Sequence, residues 1–299
     1  MEKVKIIFLG TGNAIPTKKR NHTGILVNFA NETILFDCGE GIQRQFRNIK
    51  IKPTKLTNLF ITHWHGDHIL GIPGMLQTLA MSNYQKTLNI YGPVGTKHYI
   101  NLIKELVKYI NIKFKVFEVQ QGICIDTPTF SIESLPMIHD TPTLAYSIII
   151  KNKIRINKEK LKKLKIPNSP LLGDLQKGKD IVLNGKKISA SSLTYKEKGK
   201  KITIILDTLF NKNAIQLAKN SDLLICESTY ACQDEEKAKE YKHLTASQAA
   251  TIAKKAKVKS LILTHISQRY EPSFSIIEKE AKEIFKNTKI AKDFEEIIL

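Results

Sequence analysis

Short apolar runs recur along the chain, and each stops at a polar residue able to do chemistry. Residues 33–36 lead to Asp37, 59–62 to His63, 202–206 to Asp207, 223–226 to Glu227 and 261–264 to His265. Continuous apolar runs bounded by polar turns read as buried strands, and functional side chains gather where strands stop and loops begin. Helical patterns lie between the runs. Ile100, Ile103, Leu106, Val107 and Ile110 fall at helical spacing, as do Ala249, Ile252, Ala253 and Ala256. The second series follows Thr245-x-x-Gln248, the capping-box signature of a helix start. Alternating strands and helices give an α/β class, with two sheets packed face to face under outer helices.

Residues 151–200 break this rhythm. They carry Pro167, Pro170, Gly173 and Gly178 beside a lysine-dense helical pattern, and read as an insertion between two halves, about 1–150 and 201–299, of a single domain. The chain holds 47 Lys+Arg against 28 Asp+Glu, and the insertion alone has 15 against 4. One sixth of the chain thus carries +11 of the +19. A coding bias toward lysine would spread the charge more evenly, so this concentration points to a polyanionic partner such as nucleic acid. With 42% hydrophobic and 25% charged residues, 15 Gly and 10 Pro, the composition excludes collagen-like and largely disordered classes. No apolar run approaches the ~20 residues needed to cross a bilayer. The opening MEKVKIIFLGTG reads as a first strand rather than a signal segment. A soluble, cytoplasmic protein is expected. Cys38, Cys124, Cys226 and Cys232 are scattered with no C-x-x-C pair, which argues against a disulfide framework or a thiolate zinc site.

The densest signal is THWHGDH (62–68). His63, His65, Asp67 and His68 lie within six residues at a strand end, and Gly66 permits the tight turn between them. Imidazole nitrogen and carboxylate oxygen are common ligands of catalytic zinc. Four such groups are too many for one open site and suit half of a two-metal site. The same donors also accept manganese or iron.

His-x-His-x-Asp-His after an apolar strand resembles the signature of the metallo-β-lactamase superfamily. IIFLGTGNAIPTKKRN (6–21), LFDCGEG (35–41), ITHWHGDHILGIPG (61–74), IYGPVG (90–95), LTHISQRY (263–270) and AKDF (291–294) narrow the resemblance to ribonuclease Z of the short form. That family trims the 3′ end of tRNA precursors. The resemblance implies an αββα sandwich with metals at the sheet ends and a basic arm, here 151–200, that grips the tRNA elbow. It implies that His63, His65 and His139 hold one zinc, that Asp67, His68 and His265 hold the other, and that Asp207 bridges them. Five of the eight histidines then fall in one constellation, with His22 and His98 outside it. Zinc lowers the pKa of bound water to about 7. Asp67 is the expected general base, His243 the acid for the leaving 3′ oxygen, and Glu227 the partner that orients His243. Lys18, Arg20 and Asn21 are expected to meet substrate phosphates or the discriminator end, and Lys162, Lys163 and Lys165 to contact tRNA from the arm. The short-form family also implies a homodimer.

Three positions depart from the family pattern. Cys226 replaces a histidine before Glu227, Leu206 replaces the glycine before Asp207, and Leu244 replaces the serine after His243. Leu206 is expected to crowd the metal site. A small-molecule phosphodiesterase or thioesterase of the same superfamily, and a non-catalytic RNA-binding relative, stay open at this point.

Overall fold

A computed structural model describes residues 3–164, 166, 169–183 and 185–299. The first half supplies β1 (Lys5–Gly10), β2 (Gly24–Phe29), β3 (Glu32–Phe36), β4 (Asn58–Phe60), β5 (Thr87–Gly92) and β6 (Lys113–Glu118). Then come β7 (Gly122–Asp126), β8 (Phe130–Met137) and β9 (Thr143–Ile150). The basic insertion holds β10 (Lys153–Ile156), β11 (Ile181–Leu183), β12 (Lys186–Ile188) and β13 (Thr194–Glu197). The last strands are β14 (Lys200–Ile205), β15 (Leu223–Glu227), β16 (Leu261–Thr264), β17 (Thr288–Ile290) and β18 (Glu296–Ile298).

Two seven-stranded sheets result, ordered β18-β1-β2-β3-β4-β5-β6 and β17-β16-β15-β14-β9-β8-β7. In each sheet strands that deliver site residues from their ends are parallel neighbours, β3 and β4 in the first and β14, β15 and β16 in the second, and β8, which leads to His139, runs the same way as β14 with β9 antiparallel between them. Their carboxyl ends therefore open on one edge, where ligands collect in parallel sheets. Phe8, Phe36, Phe60, Tyr146, Ile204 and Ile225 fill the space between the sheets. Each such side chain contributes about 1.5–3 kcal/mol by leaving water.

The outer faces are covered by helices. α1 (Ile42–Gln45), α2 (Gly66–Ile69), α3 (Ile72–Met81) and α4 (Thr96–Leu106) belong to the first half. Ile72, Met75, Leu76 and Leu79 of α3 and Ile100 and Ile103 of α4 close a second core. α5 (Lys158–Lys163), α6 (Leu171–Gln176) and α7 (Ala190–Leu193) lie in the insertion, and α8 (Lys212–Ala218), α9 (Glu235–Glu240), α10 (Ala246–Lys255) and α11 (Ser275–Ile284) in the second half. The small residues Ala249, Ala250 and Ala253 let α10 approach its sheet closely, forming the third core. Its start has the expected capping box between Thr245 and Gln248. α4 ends sooner than its apolar spacing predicts. Val107 turns extended at φ −103° and ψ 91° and Tyr109 takes φ 72°, so Ile110 reaches the same core from a turn. The result is helix, sheet, sheet, helix.

The insertion grows out of the second sheet. β9 and β14 pair up to Ile150 opposite Lys200, and β10 and β13 continue as an antiparallel ribbon from Lys153 opposite Glu197. Ile166, Leu175, Ile181, Ala190 and Leu193 give it a small core of its own. No helix among the described residues is long and apolar enough to cross a membrane.

Candidate metal centre

β4 is shorter than its apolar run, and the reason bears on the site. Beyond Phe60 the backbone N–H of Thr62 leaves the ladder and donates to the Asp37 carboxylate at 2.7 Å, and the Thr62 hydroxyl donates to the same carboxylate at 2.7 Å. Asp37, at the end of β3, also accepts from His68 Nδ1 at 2.6 Å. It is fully buried and sits at φ 56°, a left-handed conformation that short polar side chains tolerate best. One carboxylate thus fixes the loop that carries His63, His65, Asp67 and His68.

These bonds decide which ring nitrogen each histidine turns inward. The Thr62 hydroxyl proton goes to Asp37, so its oxygen accepts from His63 Nδ1 at 3.0 Å. His68 spends Nδ1–H on Asp37. His139 directs Nδ1 at the Lys242 carbonyl, 3.1 Å away. The Thr229 hydroxyl donates to Glu227 at 2.6 Å and accepts from His265 Nδ1 at 2.9 Å. In all four rings the Nε2 lone pair faces the interior. His65 is turned the other way, with Nδ1 3.2 Å from His139 Nε2 and Nε2 3.9 Å from Asp140. Fixing a tautomer through the outer nitrogen is how proteins prepare a metal-ligating histidine.

Asp207 is the centre of the arrangement. One oxygen lies 3.5 Å from His63 Nε2, 3.4 Å from His68 Nε2 and 3.9 Å from His139 Nε2, and the other lies 3.3 Å from His265 Nε2. Asp67 lies 3.3 Å from both His68 and His265. The donors fall into two groups that share Asp207: His63, His65 and His139 with it, and Asp67, His68 and His265 with it. Within each group the donor atoms all lie within 4.8 Å of one another.

The electrostatics fit a divalent cation. Burial opposes charge on Asp67 and Asp207, yet the surrounding imidazoles outweigh it and hold both carboxyls below the usual range. Burial, helped by the charge on His68, pushes the His63 pKa down. Against its own burial, His68 is raised by Asp207, Asp67 and Asp37, a concentration of negative charge that a bound cation would balance. His63 Nε2 and Asp207 Oδ1 are buried with no hydrogen-bond partner, which is costly unless something else occupies their lone pairs. Nitrogen donors, two anionic oxygens and orphaned lone pairs are a donor set for a divalent first-row cation.

Beside this cluster stands a second device. His243 donates from Nδ1 toward Glu227, 3.2 Å from each carboxylate oxygen. Glu227 is fully buried and also accepts from the Thr208 N–H at 2.7 Å. Burial pulls the His243 pKa down, but the charges of Glu227 and Asp207 win and push it up to about 9. The ring sits 5.4 Å from those of His139 and His265.

Other expectations are corrected. Arg20 does not face solvent: only 5% exposed, its guanidinium bonds Thr11 Oγ1 and the Ala291 carbonyl and lies 4.2 Å over the Phe274 ring. Asn21 is tied to Asp293 through its N–H and to the Glu40 carbonyl through its side chain. Lys18 is exposed, as are Lys162 and Lys163 on α5, while Lys165 lies outside the described residues. Leu206 does not crowd the metal cluster, because its side chain sits in the core between the sheets. Cys226 and Leu244 point into the core under α10. Asp37, Thr62 and Thr229 had no assigned role from sequence. Asp37 was visible as a polar stop to a strand, but its partner His68 is 31 positions away.

The family model described as "Anti-Pycsar protein Apyc1" matches residues 4–165, so that stretch also falls within that family. Ribonuclease Z of Nanoarchaeum equitans is 42% identical over 269 residues, spanning 90% of this chain and 85% of its own. The crystal structure of human tRNase Z, short form, is 27% identical with a TM-score of 0.71 over 98% of each chain. YhfI from Bacillus subtilis, a metallo-β-lactamase fold protein, gives a TM-score of 0.72 over 100% of each chain at 20% identity, a likeness of fold. The fold is that of the metallo-β-lactamase proteins, and the chain belongs to the ribonuclease Z family.

Proposed function

We propose that this chain is a metal-dependent endoribonuclease that removes the 3′ trailer of tRNA precursors, leaving a 3′ hydroxyl on the tRNA. The observation that carries the reading is the pairing of two donor groups around Asp207 with a protonated His243 backed by Glu227.

We assign His63, His65 and His139 to one zinc and Asp67, His68 and His265 to the other, with Asp207 shared between them. Zinc bound there supplies Lewis-acid charge and acidifies water near neutral pH. The remaining work falls to side chains. Asp67, held anionic by His68 and His265, takes the proton of the attacking water. His243 keeps its proton at neutral pH and releases it to the departing 3′ oxygen, while Glu227 holds the ring in place through Nδ1 and stabilises the charge it carries before transfer. Thr229 ties the Glu227 carboxylate to the His265 ring, so the acid and the metal ligand keep a fixed relation.

The insertion is the proposed tRNA-binding arm of an otherwise single domain. Lys158, Lys162 and Lys163 are exposed on α5, which suits contact with phosphates without base readout. We further propose that the enzyme works in the cytoplasm as a homodimer. Tyr99, Leu102, Leu106 and Tyr109, all exposed along and just beyond α4, support the second point, and sedimentation of the purified chain tests it.

Mapping the cut on precursors with and without an encoded CCA is the decisive test. Cleavage just after the discriminator base is expected. Precursor that stays intact at high concentrations of zinc-loaded enzyme overturns the proposal.

A further inference from the structure

Only five of the 47 basic residues are arginines, and three of those are engaged. Arg20 is buried against Phe274, Arg155 pairs with Glu197, and Arg269 pairs with Asp234 beside the Tyr230 ring. The other two, Arg44 and Arg47, are both exposed, and among the described residues neither guanidinium has a hydrogen-bond, ion-pair or ring partner. They stand three positions apart on α1 and the single 3₁₀ turn that follows it, so their side chains leave the same face.

Their setting connects them to the site. Arg44 and Arg47 line two neighbouring depressions, of about 580 Å³ and about 370 Å³, and so form the ridge between them. The first depression is walled by Leu70, Gly71 and Gly74, which follow directly on Asp67 and His68. Two close contacts lock that wall to the metal loop: Cys38 N–H donates to the His68 carbonyl at 2.8 Å, and Gly71 N–H to the Cys38 carbonyl at 2.9 Å. The second depression adds Lys18 and Lys19, both exposed and without a carboxylate partner among the described residues. One exposed acid, Glu40, lines the first depression but makes no ion pair with either arginine among the described residues, and Asp293 in the second is spent on Thr11 and the Asn21 N–H.

We propose that Arg44 and Arg47 clamp the sugar–phosphate backbone of the RNA strand where it passes out of the metal centre, with Lys18 and Lys19 continuing the track. A guanidinium presents a planar fork of donors that matches a phosphate in two bonds, and it holds that fork at lower desolvation cost than an ammonium. A chain that otherwise uses lysine for its unpaired exposed positive charge places two arginines without a partner among the described residues side by side at this one place. Contact is with phosphates and reads no sequence.

The inference rests on the RNA reading above, and its test is separable from it. The full chain carrying Asp67→Ala, which blocks turnover, is titrated with a fluorescent precursor tRNA between 50 and 200 mM salt. Removing two phosphate contacts with Arg44→Gln/Arg47→Gln lowers the slope of log affinity against log salt by about 1.4–1.8. The affinity gap between parent and variant then shrinks about tenfold across that range. Arg44→Lys/Arg47→Lys, which keeps the charge, recovers most of the slope. Lys219→Gln/Lys257→Gln, which removes equal charge near the ends of the outer helices α8 and α10, leaves it unchanged. An unaltered slope in the glutamine variant, or an equal loss in the lysine control, overturns the clamp. If the parent itself binds no precursor at any salt, the RNA reading falls instead.

Discussion

Asp37 is the residue whose replacement tests the logic of the metal centre most sharply, because it touches no proposed catalytic atom yet orients two histidines. Asp37→Asn keeps the shape of the side chain, and asparagine accepts the left-handed φ of 56° at this position. The change is therefore confined to hydrogen bonding and to the loss of one negative charge beside His68. The carboxylate accepts from the Thr62 N–H through one oxygen, and from the Thr62 hydroxyl and His68 Nδ1 through the other. In the amide, one end still accepts from the Thr62 N–H, but the other becomes an NH₂ that meets two donors. His68 relieves the conflict by moving its proton to Nε2, the atom 3.4 Å from Asp207 and 3.3 Å from Asp67. That atom then has no lone pair for a cation. Loss of a charge-assisted bond costs about 1.5–3 kcal/mol, which is about 10–100-fold in affinity and agrees with the usual effect of removing a ligand's outer partner. Competition against a chromophoric chelator near neutral pH measures zinc affinity directly. Thermal unfolding of the metal-free protein provides a second reading, with a drop of about 3–6 °C expected. Zinc affinity within twofold of the parent would refute the claim that Asp37 sets the His68 tautomer.

Three further outcomes follow from the same geometry. His243→Gln lowers kcat on precursor tRNA by about 10²–10⁴-fold with little change in KM. The parent's kcat falls as pH rises through about 9, since the acid works only while protonated, and a variant that keeps this alkaline limb rules His243 out as its source. Gly39→Ala sets a Cβ 2.2 Å from the Asp67 carbonyl oxygen and 2.5 Å from His22 Cβ, so the metal loop is displaced. Calorimetry is expected to show a loss of about 1–3 kcal/mol, together with weaker zinc binding. Replacing residues 152–198 by a two-residue turn leaves the β9–β14 ladder intact up to Ile150 and Lys200. That variant unfolds cooperatively and hydrolyses a small diester while losing precursor affinity; undiminished turnover of precursor at low concentration removes the arm from tRNA recognition.

Much of this molecule was legible as sequence because its chemistry sits where apolar runs stop. A run that enters the core between two sheets must end when it leaves that core, and Asp37, His63, Asp207, Glu227 and His265 mark those ends. What a linear pattern does not carry is direction. Arg20 and Lys18 lie in the same basic loop, yet Arg20 turns inward because its partners Thr11, Ala291 and Phe274 arrive from the loop after β1 and from the C-terminal region. Leu206 was expected at the metals because it precedes Asp207, but one residue along an extended chain reverses the face and delivers it between the sheets. The polar partners of the histidines were missed for a related reason. Thr229 is two residues from Glu227 but 36 from His265, and the bond that matters is the distant one.

The metal centre and the packing of the two sheets are one structural problem. The first sheet brings His63, His65, Asp67 and His68, and the second brings His139, Asp207 and His265, so the donor set exists only while the sheets keep their relative position. Three links hold that position next to the donors. Leu144 N–H, near the start of β9, donates across to the Thr62 carbonyl at 2.9 Å, and Ile266 N–H, beside His265, donates to the Thr11 carbonyl at 3.3 Å. The buried Tyr146 hydroxyl donates to the Ile61 carbonyl at 2.7 Å, while its ring packs edge-on against Phe60. The Thr62 backbone is thus held from both sides, its N–H by Asp37 of the first sheet and its carbonyl by Leu144 of the second. A cation held in either donor group would tie the same two sheets together at the same edge, since each group draws ligands from both. Binding and sheet packing reinforce one another, since a ligand that binds only the folded arrangement stabilises it in proportion to its affinity.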